Sequence, residues 1–247
     1  MSVTDPLLVY SLVLAIGTIA GLVSGIVGTG ATIVLLPVLS LTFGPKAAIP
    51  IMAIVALMSN LAKITAWWRE IDWRATAAYA LGGIPGAALG ARTMLSLPPQ
   101  AVDLALGVFF LVMIPGRRWL AARAYRIGPA IMIPIGLAVG FLTGIVVSTG
   151  PISVPVFASY GLAKGAFIAT EAAGSLAVYI SKAITFRTLG ALPTDLLVQG
   201  LITGSSVMAG TYLAKRLVTR LSITTFQNLL DVVMLVSGVS LLWAALT

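Results

Sequence analysis

GIVGTGATIVLLP at residues 25–37 returns as GIVVSTGPISVP at residues 144–155. In each stretch a glycine opens the run, a hydroxyl residue and a glycine interrupt it, and a proline closes it. Gly17, Gly21 and Gly25 recur as Gly136, Gly140 and Gly144, a constant shift of 119 residues. The correspondence continues outward. Lys46 and Lys164 pair at a shift of 118, and Asn60, Lys63 and Trp67 pair with Tyr179, Lys182 and Phe186 at 119. Gly86, Arg92 and Leu97 pair with Gly210, Arg216 and Leu221 at 124, a drift that small loop insertions produce. Two matching apolar halves, each with a broken hydrophobic segment, are a signature of secondary transporters built from internal repeats.

Composition sets the solvent. Hydrophobic residues make up 59% of the 247-residue chain and charged residues 9%, with a mean hydropathy of +1.08. A soluble domain carries about 25% charged residues to cover its surface, so this chain belongs in a lipid bilayer. The net charge of +8 sits in short loops rather than on one soluble face, which argues against nucleic acid as a partner. With no cysteine and no histidine, disulfides, thiolate metal sites, cysteine nucleophiles and imidazole acid–base chemistry are excluded. No cofactor is expected. The opening MSVTDPLL lacks a basic n-region and carries Asp5, so it does not read as a cleaved leader.

Five apolar segments fall in each half: roughly 7–27, 30–43, 47–67, 74–96 and 99–115, then 127–147, 150–160, 166–186, 193–214 and 222–246. The second of each half is short. At 1.5 Å per residue, 30–43 and 150–160 cover only about 21 and 16 Å of a core about 30 Å thick. Each reads as a short helix returning from a glycine-rich tip, with the preceding segment as the other arm of a hairpin. Non-helical backbone at that depth is tolerated where it is buried in protein or lines a cavity.

Counting basic residues tests the crossings. If each half crosses an odd number of times, Arg69, Arg74, Arg117, Arg118, Arg123, Arg126, Lys164, Lys215, Arg216 and Arg220 share one side. Lys46, Arg92 and Arg187 fall on the other, which gives 10 against 3. Even crossings give 7 against 6. The positive-inside rule favours the first. The expectation is an all-α integral membrane protein of two inverted-topology repeats, each a glycine-tipped helical hairpin plus three spanning helices. Residues 1–115 form the first repeat, 116–126 a basic cytoplasmic linker, and 127–247 the second repeat. Both termini then lie outside the cytoplasm, across the cell inner (plasma) membrane.

The candidate substrate-binding residues begin at the tips, Thr29, Gly30 and Ala31, then Ser148, Thr149, Gly150 and Pro151. Each tip opens a helix whose first N–H groups are unpaired and partly positive, and two such starts facing the midplane cradle an anion. The competing reading is that the glycines only let helices pack closely, which Gly17, Gly21, Gly25 and their counterparts certainly do. Lys63 and Lys182 each share a helix face with a polar residue three back and an aromatic four on, and either ammonium could complement an anion; snorkelling beside Trp67 and Trp68 is the alternative. Asn60 and Ser175 offer neutral donors. Glu171, beside Thr170 in the third segment of the second half, is the candidate coupling residue, with pairing to Lys164 as its structural alternative.

These residues resemble the TauE/SafE-type sulfite exporter family. The carriers are GIVGTGATIVLLPVL at 25–39, SNLAKITAWWREIDWRATAAYALGGIPGAALGARTMLSLP at 59–98 and GIVVSTGPISVPVF at 144–157. The resemblance implies a membrane carrier of sulfite or an organosulfonate. The tips depart from the family's usual glycine runs, with Gly28-Thr29-Gly30 at the first, and Ser148, Thr149 and Pro151 at the second. The leading expectation is a secondary transporter of a small anion working by alternating access around a midplane site between the hairpin tips. A proton or sodium ion is the expected coupling ion, the bilayer is a partner, and the small-residue faces are compatible with a homodimer. A cation or metal transporter, an intramembrane enzyme and a non-transporting assembly factor are the alternatives.

Overall fold

A computed structural model describes residues 6–27, 31–122, 127–146, 150–162 and 164–217, together with 231, 235, 238, 239, 242 and 243. Among the described residues the chain is helical and contains no strand. The helices are α1 (Pro6–Val27), α2 (Ala31–Phe43), α3 (Pro45–Trp67), α4 (Trp73–Ser96), α5 (Pro99–Ala122), α6 (Pro129–Ile145), α7 (Gly150–Ser159), α8 (Lys164–Thr188) and α9 (Thr194–Leu217). The expected tenth segment, 222–246, lies almost wholly outside the described residues. α5 runs on to Ala122, so residues 116–122 of the expected linker are helical.

Among the described residues, three stretches are long and apolar enough to cross a membrane: Ala47–Glu70, Gly165–Thr188 and Thr194–Ala214. Ser11–Gly25, Gly107–Gly116 and Pro129–Ile145 are shorter apolar helices. α4 is as long as these, but its glycines and Arg74 and Arg92 dilute its hydropathy. The outer surface is apolar. Leu12 and Ile19 of α1, Leu81 and Leu89 of α4, Leu137 and Phe141 of α6, and Val198 and Leu201 of α9 are exposed. Meanwhile Ser24, Asn60, Lys63, Thr143, Glu171 and Lys182 are buried. Exposed large apolar residues around buried polar ones mark a protein whose outer solvent is hydrocarbon.

Backbone contact joins the two halves. α1 packs along α9 and α4 along α6, each pair in parallel. A Cβ on Gly86 of α4 would fall on the Leu137 carbonyl oxygen and 2.9 Å from the Phe141 nitrogen of α6. A Cβ on Gly210 of α9 would fall on the Thr18 carbonyl oxygen and 2.9 Å from the Leu22 nitrogen of α1. Leu137 and Phe141 are Thr18 and Leu22 moved by 119 residues, and Gly210 is Gly86 moved by 124. Gly140 against Gly83 and Gly21 against Val207 repeat the same two shifts. Lipid tails are as apolar as leucine, so close backbone approach between small residues supplies the attraction that a hydrophobic effect would supply in water.

Between these two pairs lie α3 and α8, which also touch each other. Gly165 at the start of α8 faces Trp67, the last residue of α3, and Glu70 just beyond it. Ala48, Ile49 and Met52 near the start of α3 share a core with Ala183 and Phe186 near the end of α8. The two helices therefore run antiparallel.

The connection from α3 to α4 is a single 3-10 turn, Trp68–Glu70, followed by Ile71 and Asp72. Asp72 is the N-cap of α4: its carboxylate accepts from the Arg74 and Ala75 N–H groups at 2.9 and 3.0 Å. Its own N–H donates to the Thr170 hydroxyl of α8 at 2.9 Å, which ties the loop to the start of that helix. Asp72→Ala leaves these donors unpaired and is expected to lower stability by about 1 kcal/mol in a detergent melt.

Candidate functional site

A cavity of about 40 Å³ opens where α3 and α8 meet the first turns of α2 and α7. By volume that holds roughly three waters, the scale of one small oxyanion. Its wall is built largely of repeat partners. Ser24 and Thr143, Ala31 and Gly150, Met52 and Glu171, Ala56 and Ser175, Ser59 and Val178, and Asn60 and Tyr179 all line it, each pair separated by 119 residues. The cavity thus lies at the junction of the two halves, and its chemistry is unequal. One half contributes Met52 and Ala56 where the other contributes Glu171 and Ser175.

Three kinds of group face this space. Ala31 and Gly150, the first residues of α2 and α7, are buried in its wall, so both short helices begin at the cavity. Lys63 is 5% exposed and contributes to the same wall, with the Glu171 carboxylate near enough to attract its ammonium. Neutral donors complete it: Asn60, Thr32, and the Ser24 and Ser59 hydroxyls, which lie 3.2 Å apart. Tyr79 of α4 forms one side, its ring tilted against Phe157 of α7 at 5.0 Å between centroids. The wall thus brings one cation, one carboxylate and several neutral donors to the same small space. Among the described residues, no three acids come together to hold a metal ion.

A family model described as sulfite exporter TauE/SafE matches residues 13–241. The chain belongs to the TauE/SafE sulfite exporter family. No curated protein and no solved structure matches it. Members of the TauE/SafE family are membrane transporters rather than enzymes.

Of the residues singled out from the sequence of this TauE/SafE protein, Ala31, Asn60, Lys63, Gly150, Glu171 and Ser175 come together around the cavity. Pro151 occupies the second position of α7. Thr29, Gly30, Ser148 and Thr149 lie outside the described residues. Lys182 is elsewhere. It is fully buried, and its ammonium donates to the Thr143 and Val146 carbonyls at 2.6 and 2.9 Å, with the Phe186 ring 5.4 Å away. α6 ends at Ile145, so these are a carbonyl of its last turn and that of its C-cap residue, and Lys182 neutralises the negative end of that helix. Its repeat partner Lys63 sits in the cavity wall.

Sequence reasoning missed several lining residues. Ser24 and Thr143, repeat partners that both carry hydroxyls, and Tyr179, the repeat partner of Asn60, were detectable from the repeat. Ser153 had no such signal: its counterpart is Val34, and only the approach of α7 to α8 brings it to Glu171.

Proposed function

We propose that this exporter moves a small sulfur oxyanion, sulfite or a compact organosulfonate, by alternating access around the cavity between its halves. The observation that carries the reading is the meeting of two short-helix starts, at Ala31 and Gly150, with buried Lys63 in one wall. Helix starts and an ammonium favour negative charge, and a space of about 40 Å³ favours a compact ion.

In this reading residues 1–115 and 127–247 are inverted-topology repeats, each a hairpin plus three spanning helices, joined by a cytoplasmic linker at 116–126. The antiparallel run of α3 against α8, and the recurrence of the glycine contacts under the repeat shifts, support it. The hairpins are α1–α2 and α6–α7, and their tips, Thr29-Gly30-Ala31 and Ser148-Thr149-Gly150-Pro151, are the parts that hold the substrate. Asn60 and Lys63 supply further donors, Ser175 acts by holding the Glu171 carboxylate, and Lys182 acts by holding the end of α6. Glu171 is the coupling group. The termini lie outside the cytoplasm of a cell with an inner membrane.

The test is a detergent melt with sulfite, methanesulfonate, chloride and divalent cations, followed by sulfite flux into proteoliposomes. Sulfite at about 100 times its dissociation constant should stabilise the wild type by about 2.7 kcal/mol. Lys63→Gln should weaken binding by about tenfold, or about 1.4 kcal/mol. Stabilisation by divalent cations but by no anion would sink the substrate class.

A further inference from the structure

Glu171 is 3% exposed, yet only one of its two carboxylate oxygens is engaged. Oε1 accepts from the Ser153 hydroxyl of α7 at 2.9 Å and from the Ser175 hydroxyl, one turn along α8, at 2.8 Å. Oε2 is buried and has no hydrogen-bond partner, in a side chain that lines the cavity. A buried oxygen left without a donor is costly, and this one belongs to a carboxylate in the wall of a polar cavity, where an entering donor would satisfy it.

The repeat supplies an internal control. At a shift of 119, Glu171 and Ser175 correspond to Met52 and Ala56, which line the same cavity from the other half. Packing at this position is met by a thioether and a methyl group, so the fold does not require a carboxyl here. The other groups facing Glu171 are Lys63 from α3, Tyr79 from α4 and, on α8 itself, Tyr179. α6 contributes Thr143 and α7 contributes Ser153, neither of them titratable. An ionised carboxylate with an open oxygen repels an oxyanion held in so small a space. A proton on that oxygen reverses the contact, because the O–H then donates to the anion. Oε1 already accepts two hydroxyl protons, which leaves Oε2 as the oxygen to be protonated.

Resting on the anion-transport reading above, we propose that Glu171 takes up one proton on Oε2 whenever the cavity takes an oxyanion. Anion and proton then cross together, and the shared O–H···O contact couples them. The proton comes from solution or arrives on the substrate, as in hydrogensulfite, and both give the same contact.

The experiment measures proton uptake on binding, in weakly buffered detergent with a pH-indicator dye. Methanesulfonate, which stays ionised and brings no proton of its own, is the first probe, and sulfite is run in parallel. In wild type, about one proton should leave solution per methanesulfonate bound where the free carboxyl is ionised. Affinity should fall about tenfold per pH unit in that range. Glu171→Gln keeps an acceptor for both serines and presents an N–H₂ donor at the Oε2 position. It should bind the anion with no proton uptake and no pH dependence. The double variant Glu171→Met, Ser175→Ala installs the pair found at 52 and 56; it should melt close to wild type and also take up no proton. Wild-type binding without proton uptake, or uptake that survives in Glu171→Gln, would overturn the proposal. If neither anion binds wild type at any pH, the melt shows no shift, and the anion-site reading falls instead.

Discussion

Gly140→Val is expected to prevent α4 and α6 from seating against each other, with little or no monodisperse protein recovered from detergent. A Cβ at Gly140 would fall on the Gly83 carbonyl oxygen, 2.8 Å from the Gly83 Cα. Both obstacles are backbone, so no rotamer change relieves them. The helices must separate, and the separation is shared along the seam, because Gly82, Gly86 and Gly90 meet α6 backbone as closely. Overpacking typically costs about 1–3 kcal/mol where side chains can shift; here they cannot, so about 3 kcal/mol or more is expected. Gly128→Ala is the contrast. That residue has open space around its missing Cβ and a φ of −92°, so its melt should stay within about 0.5 kcal/mol of wild type. Size-exclusion profiles and thermal melts of the two variants check this, and equal melts would remove the close-packing account of how the halves are joined.

Lys182→Met should lower both stability and anion binding, and Lys63→Gln, which removes the cation from the cavity wall itself, should lower anion binding. Methionine fills the volume of the lysine stem but donates nothing. The Thr143 and Val146 carbonyls at the end of α6 then lose hydrogen bonds of 2.6 and 2.9 Å in a fully buried setting. Each orphaned acceptor costs about 1–3 kcal/mol, and bonds to a charged donor lie at the upper end. Releasing the buried ammonium offsets part of this, which leaves a net loss of about 2 kcal/mol. Binding falls as well, because α6 leads into the segment that ends at Gly150, a residue of the cavity wall. Melting temperature and sulfite affinity are measured side by side on both variants. An unchanged melt in Lys182→Met would remove its role as a clamp on α6.

Much of this architecture was legible in the chain. The glycine triplets at 17, 21, 25 and 136, 140, 144 marked the packing seams, because close helix approach demands a missing side chain at a fixed spacing. The short segments at 30–43 and 150–160 returned as α2 and α7, because length and apolarity are local properties. The cavity was legible in part. Asn60, Lys63, Glu171 and Ser175 were visible as polar groups inside apolar helices, where such residues are expensive and seldom idle. The different settings of Lys63 and Lys182 were not, because the repeat makes them equal in sequence.

By itself the sequence determined that the chain lives in lipid, that its glycine spacing recurs after 119 residues, that two of its apolar segments are short, and that a few polar residues fall inside apolar helices. Those follow from composition, period and spacing, which act over a few residues at a time. Only the tertiary structure decided that Lys182 closes the end of α6 while Lys63 lines the cavity, and that Ser153 reaches across to Glu171 and leaves Oε2 open. Those outcomes depend on which helix end lies beside which side chain. That is set by how glycine-lined helices from the two halves dock, over separations that no local pattern records.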